Sequence, residues 1–257
     1  MNHEEKRLFL IRTLLDEQPD YRNIAIPAGE EAQNMLLRSL FNVRMAGPVN
    51  KDFLKVQNEF LKEAISAKGI TDISDLTPAE PDICLWQGDI TTLRCDTIVN
   101  AANSGMTGCY QPCHNCIDNC IHTYADVQLR NYCAEIMAEQ GHEEPTGQAK
   151  ITPAFNLPCR YVLHTVGPIV QGPLTAEHEA LLASCYRSCL TLAEQNGIRS
   201  IAFCCISTGV FGFPQKRAAE IAVQTVRDYK AQTNSSIKVI FNVFKDEDYA
   251  IYKKILG

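Results

Sequence analysis

The sequence predicts an α/β sandwich around a largely buried mixed sheet, preceded by a helical N-terminal extension. Three observations predict it. From about Pro81 onward, short apolar runs alternate with longer stretches of helical periodicity, the rhythm of strands and helices sharing one core. Residues 1–70 carry helical periodicity and little else. The 257 residues are 46% apolar, enough to bury the core of one domain of ordinary size beside an extension. The division falls between 1–70 and 71–257.

In the extension, Leu8, Leu10, Ile11, Leu14 and Leu15 form a first apolar stripe. Met35, Leu36, Leu37, Leu40 and Phe41 form a second, and Phe53, Leu54, Val56, Phe60, Leu61 and Ile65 a third. Three amphipathic helices follow, because each set recurs at the 3.6-residue period. Turn-rich pieces, Pro19-Asp20 and Ala46-Gly47-Pro48-Val49-Asn50, separate them, and Asn50 is placed to cap the third. In the second region the apolar runs put strands at 82–86, 97–101, 149–153, 160–165, 200–205 and 237–243, with helices at 117–140, 175–196, 215–230 and 246–255. The last helix opens on Asp246-Glu247-Asp248 and closes on Lys253-Lys254, charges that complement its dipole. No internal repeat or low-complexity tract interrupts this order.

A net charge of −6 gives no global attraction for nucleic acid or anionic membrane, so neither is expected as a partner. A phosphate ligand would have to be held by oriented backbone N–H groups. The sequence has no apolar run long enough to span a bilayer, and Met1 to Asp20 lacks the apolar centre of a signal peptide, so a soluble cytoplasmic protein is expected. Twelve cysteines in such a chain read mainly as small buried hydrophobes, among them Cys84, Cys133, Cys185, Cys189, Cys204 and Cys205.

The stretch from Cys109 to His122 is different. It holds Cys109, Cys113, Cys116 and Cys120, with His114, His122 and Asp118, a density of soft and borderline donors that suits a metal ion. It begins shortly after Ile98-Val99-Asn100-Ala101-Ala102-Asn103, an apolar run that delivers two Asn to the edge of a sheet. Asp118 opens the following helix as a cap or first-turn acid, and His122 shares its helix face at i+4. His164, inside an apolar run, reads as a core histidine.

Two loops carry backbone suited to phosphate: Pro145-Thr146-Gly147, and Ser207-Thr208-Gly209-Val210-Phe211-Gly212-Phe213-Pro214 between a strand and a helix. The Walker pattern is absent, which argues against a Mg-nucleotide hydrolase, and the dinucleotide fingerprint is missing too. Strand-end loops on one side of an open sheet converge on a crevice.

Together with Gln87-Gly88-Asp89-Ile90-Thr91 and Tyr161-Val162-Leu163-His164-Thr165-Val166-Gly167-Pro168, these motifs resemble a MacroD-type macrodomain over about residues 82–257. Where MacroD proteins carry a glycine run, this chain has Gly108-Cys109 through Cys116, which, with the helical extension, resembles the zinc-dependent macrodomains. These are ADP-ribosyl hydrolases often associated with sirtuin-like ADP-ribosyltransferases. The resemblance implies a three-layer α/β/α fold and a Zn²⁺ site on Cys109, His114 and Cys116. Three such ligands would leave one position open, as catalytic zinc requires, whereas a structural zinc would recruit Cys113 or Cys120.

It further implies that Asp89 and Ile90 bind adenine and that Gly147, with Ser207, Thr208, Gly209, Val210, Phe211 and Gly212, borders the diphosphate. Phe211 and Phe244 would cover the ligand, although either aromatic could equally belong to the core. Asn103 and Asp118 would be catalytic, at the distal ribose. The expected function is removal of mono-ADP-ribose from modified protein side chains, Asp or Glu esters by similarity, with ADP-ribose as product. Two alternatives stand beside it: a non-catalytic ADP-ribose reader, and an O-acetyl-ADP-ribose deacetylase.

Overall fold

The computed structural model describes residues 1–257. The extension forms three helices, α1 (His3–Glu17), α2 (Glu30–Val43) and α3 (Lys51–Lys68), as their apolar stripes require. Asn2 and Glu5 close a capping box on α1, and the Asn50 side chain accepts the Asp52 amide at the start of α3. Leu10, Ile11, Leu14, Leu37, Phe53 and Leu61 pack in a cluster of their own, while Ile65 belongs to the main core.

The strands are β1 (Thr71–Asp72), β2 (Pro78–Glu80), β3 (Ile83–Gln87), β4 (Leu93–Arg94), β5 (Thr97–Ala102), β6 (Ala149–Pro153), β7 (Tyr161–Val166), β8 (Ser200–Phe203) and β9 (Lys238–Val243). Beyond the extension the helices are α4 (Ile117–Ala125), α5 (Val127–Gln140), α6 (Ala176–Gln195), α7 (Gln215–Thr233) and α8 (Asp246–Leu256). Seven strands form one mixed sheet in the order β2-β3-β9-β8-β5-β7-β6; β1 and β4 pair separately. The five inner strands are parallel, and β2 and β6 are antiparallel edges. The inner strands are buried on both faces, which is why they read as continuous apolar runs.

Right-handed crossovers explain the layers. From β5 the chain crosses to β7 in one direction, and from β7 to β8 to β9 it moves back the other way, so α4 and α5 lie on one face while α6 and α7 lie on the opposite one. The reversal between β5 and β8 is a topological switch point, where the strand-end loops splay apart.

One expected helix, 117–140, is two. Asp126 breaks it with φ of 114°, and its side chain accepts the Gln128 amide to start α5 afresh. An Asp in the middle of an apolar pattern gives a cap signal that periodicity alone overlooks. The short strands β1, β2 and β4 were too brief to leave a pattern. All twelve cysteines are free thiols; Cys84, Cys133, Cys185, Cys189 and Cys204 are buried and Cys205 is partly so. No helix is long and apolar enough to cross a membrane.

Candidate active site

Because β3, β9, β8 and β5 are parallel neighbours, the segments that follow them emerge along one edge. These are Asp89 after β3, Phe244 after β9, the 204–213 loop after β8 and the 103–116 loop after β5. Three strand spacings span roughly 14 Å, so the edge suits an elongated ligand rather than a compact one.

At the β3 end, Asp89 caps a short 3-10 turn. Its Oδ1 accepts the Thr91 amide at 3.0 Å and the Thr91 hydroxyl at 2.6 Å, while Oδ2 meets Lys68 Nζ at 2.7 Å. Burial works to raise its pKa, but Lys68 and Thr91 outweigh burial and hold the carboxyl below its ordinary value. Lys68, from the last turn of α3, also lies 3.5 Å above the Tyr124 ring. Nothing in the local sequence signals it, since it comes from the extension. Phe244 is 75% exposed, which removes the core reading for this ring.

In the loop after β8, Phe213 N–H donates to Ser207 O and Gly212 N–H to Gly209 O, both at 3.0 Å. Ser207 takes φ of 65° and Gly212 φ of 69° to make that closure. The amides of Gly209, Val210 and Phe211 donate to nothing within the chain and stand just before the N-terminus of α7, an arrangement that favours an anion. Gly147 is engaged otherwise. Its N–H donates to Val166 O at 2.9 Å, and its carbonyl accepts the Ser184 and Ser188 hydroxyls. A Cβ there would sit 3.0 Å from Ser184 Cβ, so the glycine is required for packing against α6.

At the end of β5, Asn100 and Asn103 hold the two oxygens of Asp118. Asn100 Nδ2 lies 2.8 Å from Oδ1, and Asn103 Nδ2 lies 3.3 Å from Oδ2 and 3.1 Å from Gly108 O. Burial raises the Asp118 pKa to about 6, against the opposing effects of the Asn100 hydrogen bond and Arg130. Cys116, rather than Asp118, caps α4, its sulfur accepting the Asn119 amide at 3.4 Å. His122 Nε2 is 3.5 Å from Asp118 Oδ1, and burial keeps the ring neutral, well below its ordinary pKa. His164 is fully buried between Asn100 and Thr152 Oγ1, the latter at 2.9 Å. Asn100 has the central position here. A polar residue in an otherwise apolar buried strand was the available signal.

The donor atoms of Cys109, His114 and Cys116 lie within 4.8 Å of one another. Cys109 Sγ to His114 Nδ1 is 3.6 Å. A tetrahedral zinc with ordinary Zn–S and Zn–N bonds requires roughly 3.5 Å along that edge, so the donor set fits the ion in chemistry and spacing. The other two thiols are turned elsewhere. Cys113 Sγ lies 3.2 Å from Ser39 Oγ and 3.3 Å from Met35 O on α2, and Cys120 Sγ lies 3.6 Å from Arg38. Backbone explains the separation: Cys113 adopts φ of 52° between Cys109 and His114, turning its side chain away.

Residues 99–222 match the family model described as Macro domain. The chain is 61% identical over 261 residues to a Treponema medium protein named protein-ADP-ribose hydrolase, covering 100% of both. It is 50% identical over 248 residues to a Staphylococcus aureus protein of the same name, covering 96% of this chain and 93% of that one. The chain belongs to the macrodomain family. Its fold superposes on the Trypanosoma brucei macrodomain solved in complex with ADP-ribose, with a TM-score of 0.65 at 32% identity, over 86% of this chain and 95% of that one. In this macrodomain of MacroD type, the four strand-end segments therefore form the candidate cleft.

Proposed function

We propose that this macrodomain hydrolyses the bond joining mono-ADP-ribose to a protein side chain, an Asp or Glu ester, with a zinc ion held by Cys109, His114 and Cys116. The observation that carries the reading is the convergence of three features on one sheet edge. These are a trio of zinc-type donors, a buried carboxylate clamped by two Asn, and a loop with unpaired amides before a helix. The names of the Treponema and Staphylococcus relatives support it.

In this reading Asp89 accepts the adenine amino group and the Ile90 amide serves the ring. The amides of Gly209, Val210 and Phe211 take the diphosphate, with Ser207, Thr208 and Gly212 shaping their loop, and Phe211 and Phe244 cover the ligand. Asn103 orients the distal ribose, and Asp118, fixed by Asn100 and Asn103, accepts a proton from the attacking water. The ester C–O bond breaks, the acyl group takes hydroxide, and the ribose oxygen takes a proton. Zinc bound at the trio would supply Lewis-acid polarisation of an oxygen at the reacting centre. Neutral His122 packs against Asp118, its Nε2 3.5 Å from Oδ1. The resemblance alone supports a sirtuin-like transferase that writes the mark.

The test combines metal content with turnover. Wild type should hold about one zinc per chain and release ADP-ribose from Asp- or Glu-modified protein. His114→Ala and chelated wild type should lose release while keeping most of their affinity for free ADP-ribose, because an ion at the reacting centre acts on the transition state more than on binding. Full turnover without metal would refute the zinc reading. Binding of ADP-ribose with no turnover of any modified protein in either form would make the protein a reader.

A further inference from the structure

The loop that carries the three zinc-type donors has little structure of its own. Between Gly108 and Cys116 only one backbone hydrogen bond closes within it, His114 N–H to Gln111 O at 3.3 Å. Donors on so loose a segment keep a fixed spacing only if other elements hold them. Two side chains reach the donor residues themselves. Asn119, fully buried on α4, donates through Nδ2 to Gln111 O at 2.9 Å and to Cys109 O at 3.4 Å, and its amide caps onto Cys116 Sγ. Arg38, from α2 of the extension, places a single guanidinium nitrogen 2.8 Å from His114 O and 3.0 Å from Asn119 Oδ1. Each of the three donor residues thus touches Asn119 or Arg38. The Arg38 contact to Oδ1 also fixes which way the Asn119 amide faces, keeping Nδ2 toward the loop.

We propose that Arg38 is a positioning residue for the metal site, acting through Asn119 and the His114 carbonyl, and that the N-terminal extension is therefore part of the catalytic apparatus. The inference rests on the zinc reading above. The helix that presents Arg38 is itself locked to the same region. Asn42, one turn further along α2, accepts the Cys113 amide at 2.9 Å and donates to Thr123 Oγ1 at 2.9 Å. Arg130 of α5 donates to the carbonyls of Phe41, Asn42 and Arg44 at the end of α2 and to Thr107 O at the start of the loop. These bonds tie the helix to the loop. Free rotation of the loop would let the donors separate, and the ion would then have to pay for ordering them.

Arg38 is only partly buried, so Arg38→Met is expected to fold; Asn119→Ala, in the interior, is less suitable as the primary variant. Zinc affinity is read by competition with a chromogenic chelator, and site geometry by the thiolate-to-metal charge-transfer bands of the cobalt-substituted protein. Arg38→Met should weaken zinc binding by about 10–100-fold, the usual effect of losing a group that orients metal ligands. Its cobalt bands should shift, and turnover should fall in kcat while the affinity for free ADP-ribose stays close to wild type. Arg38→Lys, which keeps a donor near His114 O, should recover part of the zinc affinity. Undiminished zinc affinity with unshifted cobalt bands in Arg38→Met would overturn the inference, as would an equal loss of ADP-ribose and zinc binding, which would mark a general structural role. A wild-type protein that takes up no zinc would overturn the zinc reading first, and this inference with it.

Discussion

Gly108→Ala is the most direct probe of how the donor loop is placed. Gly108 takes φ of +86°, and a Cβ built on it would lie 2.7 Å from His122 Cγ, 2.9 Å from Cδ2 and 3.0 Å from Nδ1. Two costs add. An L-residue in the left-handed region costs about 1–2 kcal/mol. Overpacking against a buried ring costs about 1–3 kcal/mol more, because His122 is enclosed and cannot swing out. The total, about 2–5 kcal/mol, is survivable for a domain of about 5–15 kcal/mol stability. The geometric effect is larger. Carbon atoms rest about 3.5–4.0 Å apart, so the loop or the ring must shift by about 1 Å, and Cys109 is the next residue. A displacement of that size can cost about 100-fold in rate.

The control is Gly141→Ala, with φ of +73° and nothing within 4 Å, which should incur the backbone cost alone and leave activity intact. Thermal unfolding and ADP-ribose release from an Asp- or Glu-modified protein read the two effects. The reasoning is refuted if Gly108→Ala melts like Gly141→Ala and turns over at the wild-type rate.

Three further outcomes follow. Asp89→Ala should weaken ADP-ribose binding by about 1–3 kcal/mol in calorimetric titration, since a charged acceptor is lost, without unfolding the domain; unchanged affinity would move adenine elsewhere. Gly212→Glu brings a charged side chain to a position with φ of +69° where an added Cβ would lie 3.1 Å from Val170 O, so ADP-ribose binding should be abolished while the fold survives; normal binding would exclude the 207–212 loop. Asp126 is raised by burial from 3.8 to about 7, so the folded state binds more protons than the unfolded one across that interval, and stability declines as pH rises from about 4 to about 7. Asp126→Asn keeps a capping oxygen and should flatten that decline in melting temperature between pH 5 and 8; an equal slope in both proteins would show that Asp126 is not its source.

The linear pattern of residues was enough for the layered α/β architecture, the three helices of the extension and the donor-rich stretch after the Asn-bearing strand. Each of these depends on short-range periodicity or local density of one residue type. Asn50 as a cap, and the acidic start and basic end of α8, were legible for the same reason. The break at Asp126 was hidden because an apolar stripe continues on both sides of it, and only the backbone angle shows the chain restarting. The family resemblance named Cys109, His114 and Cys116, and the structure gathers them, but spacing along the chain does not by itself set Cys113 apart. Cys113 stands between Cys109 and His114 in the chain, yet a left-handed backbone turn and Ser39 on α2 carry its sulfur away.

Lys68 on Asp89 and Arg38 on His114 O join residues that lie 21 and 76 positions apart, and no pattern within either segment records such a pairing. Packing of the extension brings them together. The sequence by itself determined the long helices and inner strands and which chemistry sits between them; the tertiary structure decided which side chains meet, because contact depends on strand order and helix packing rather than on distance along the chain.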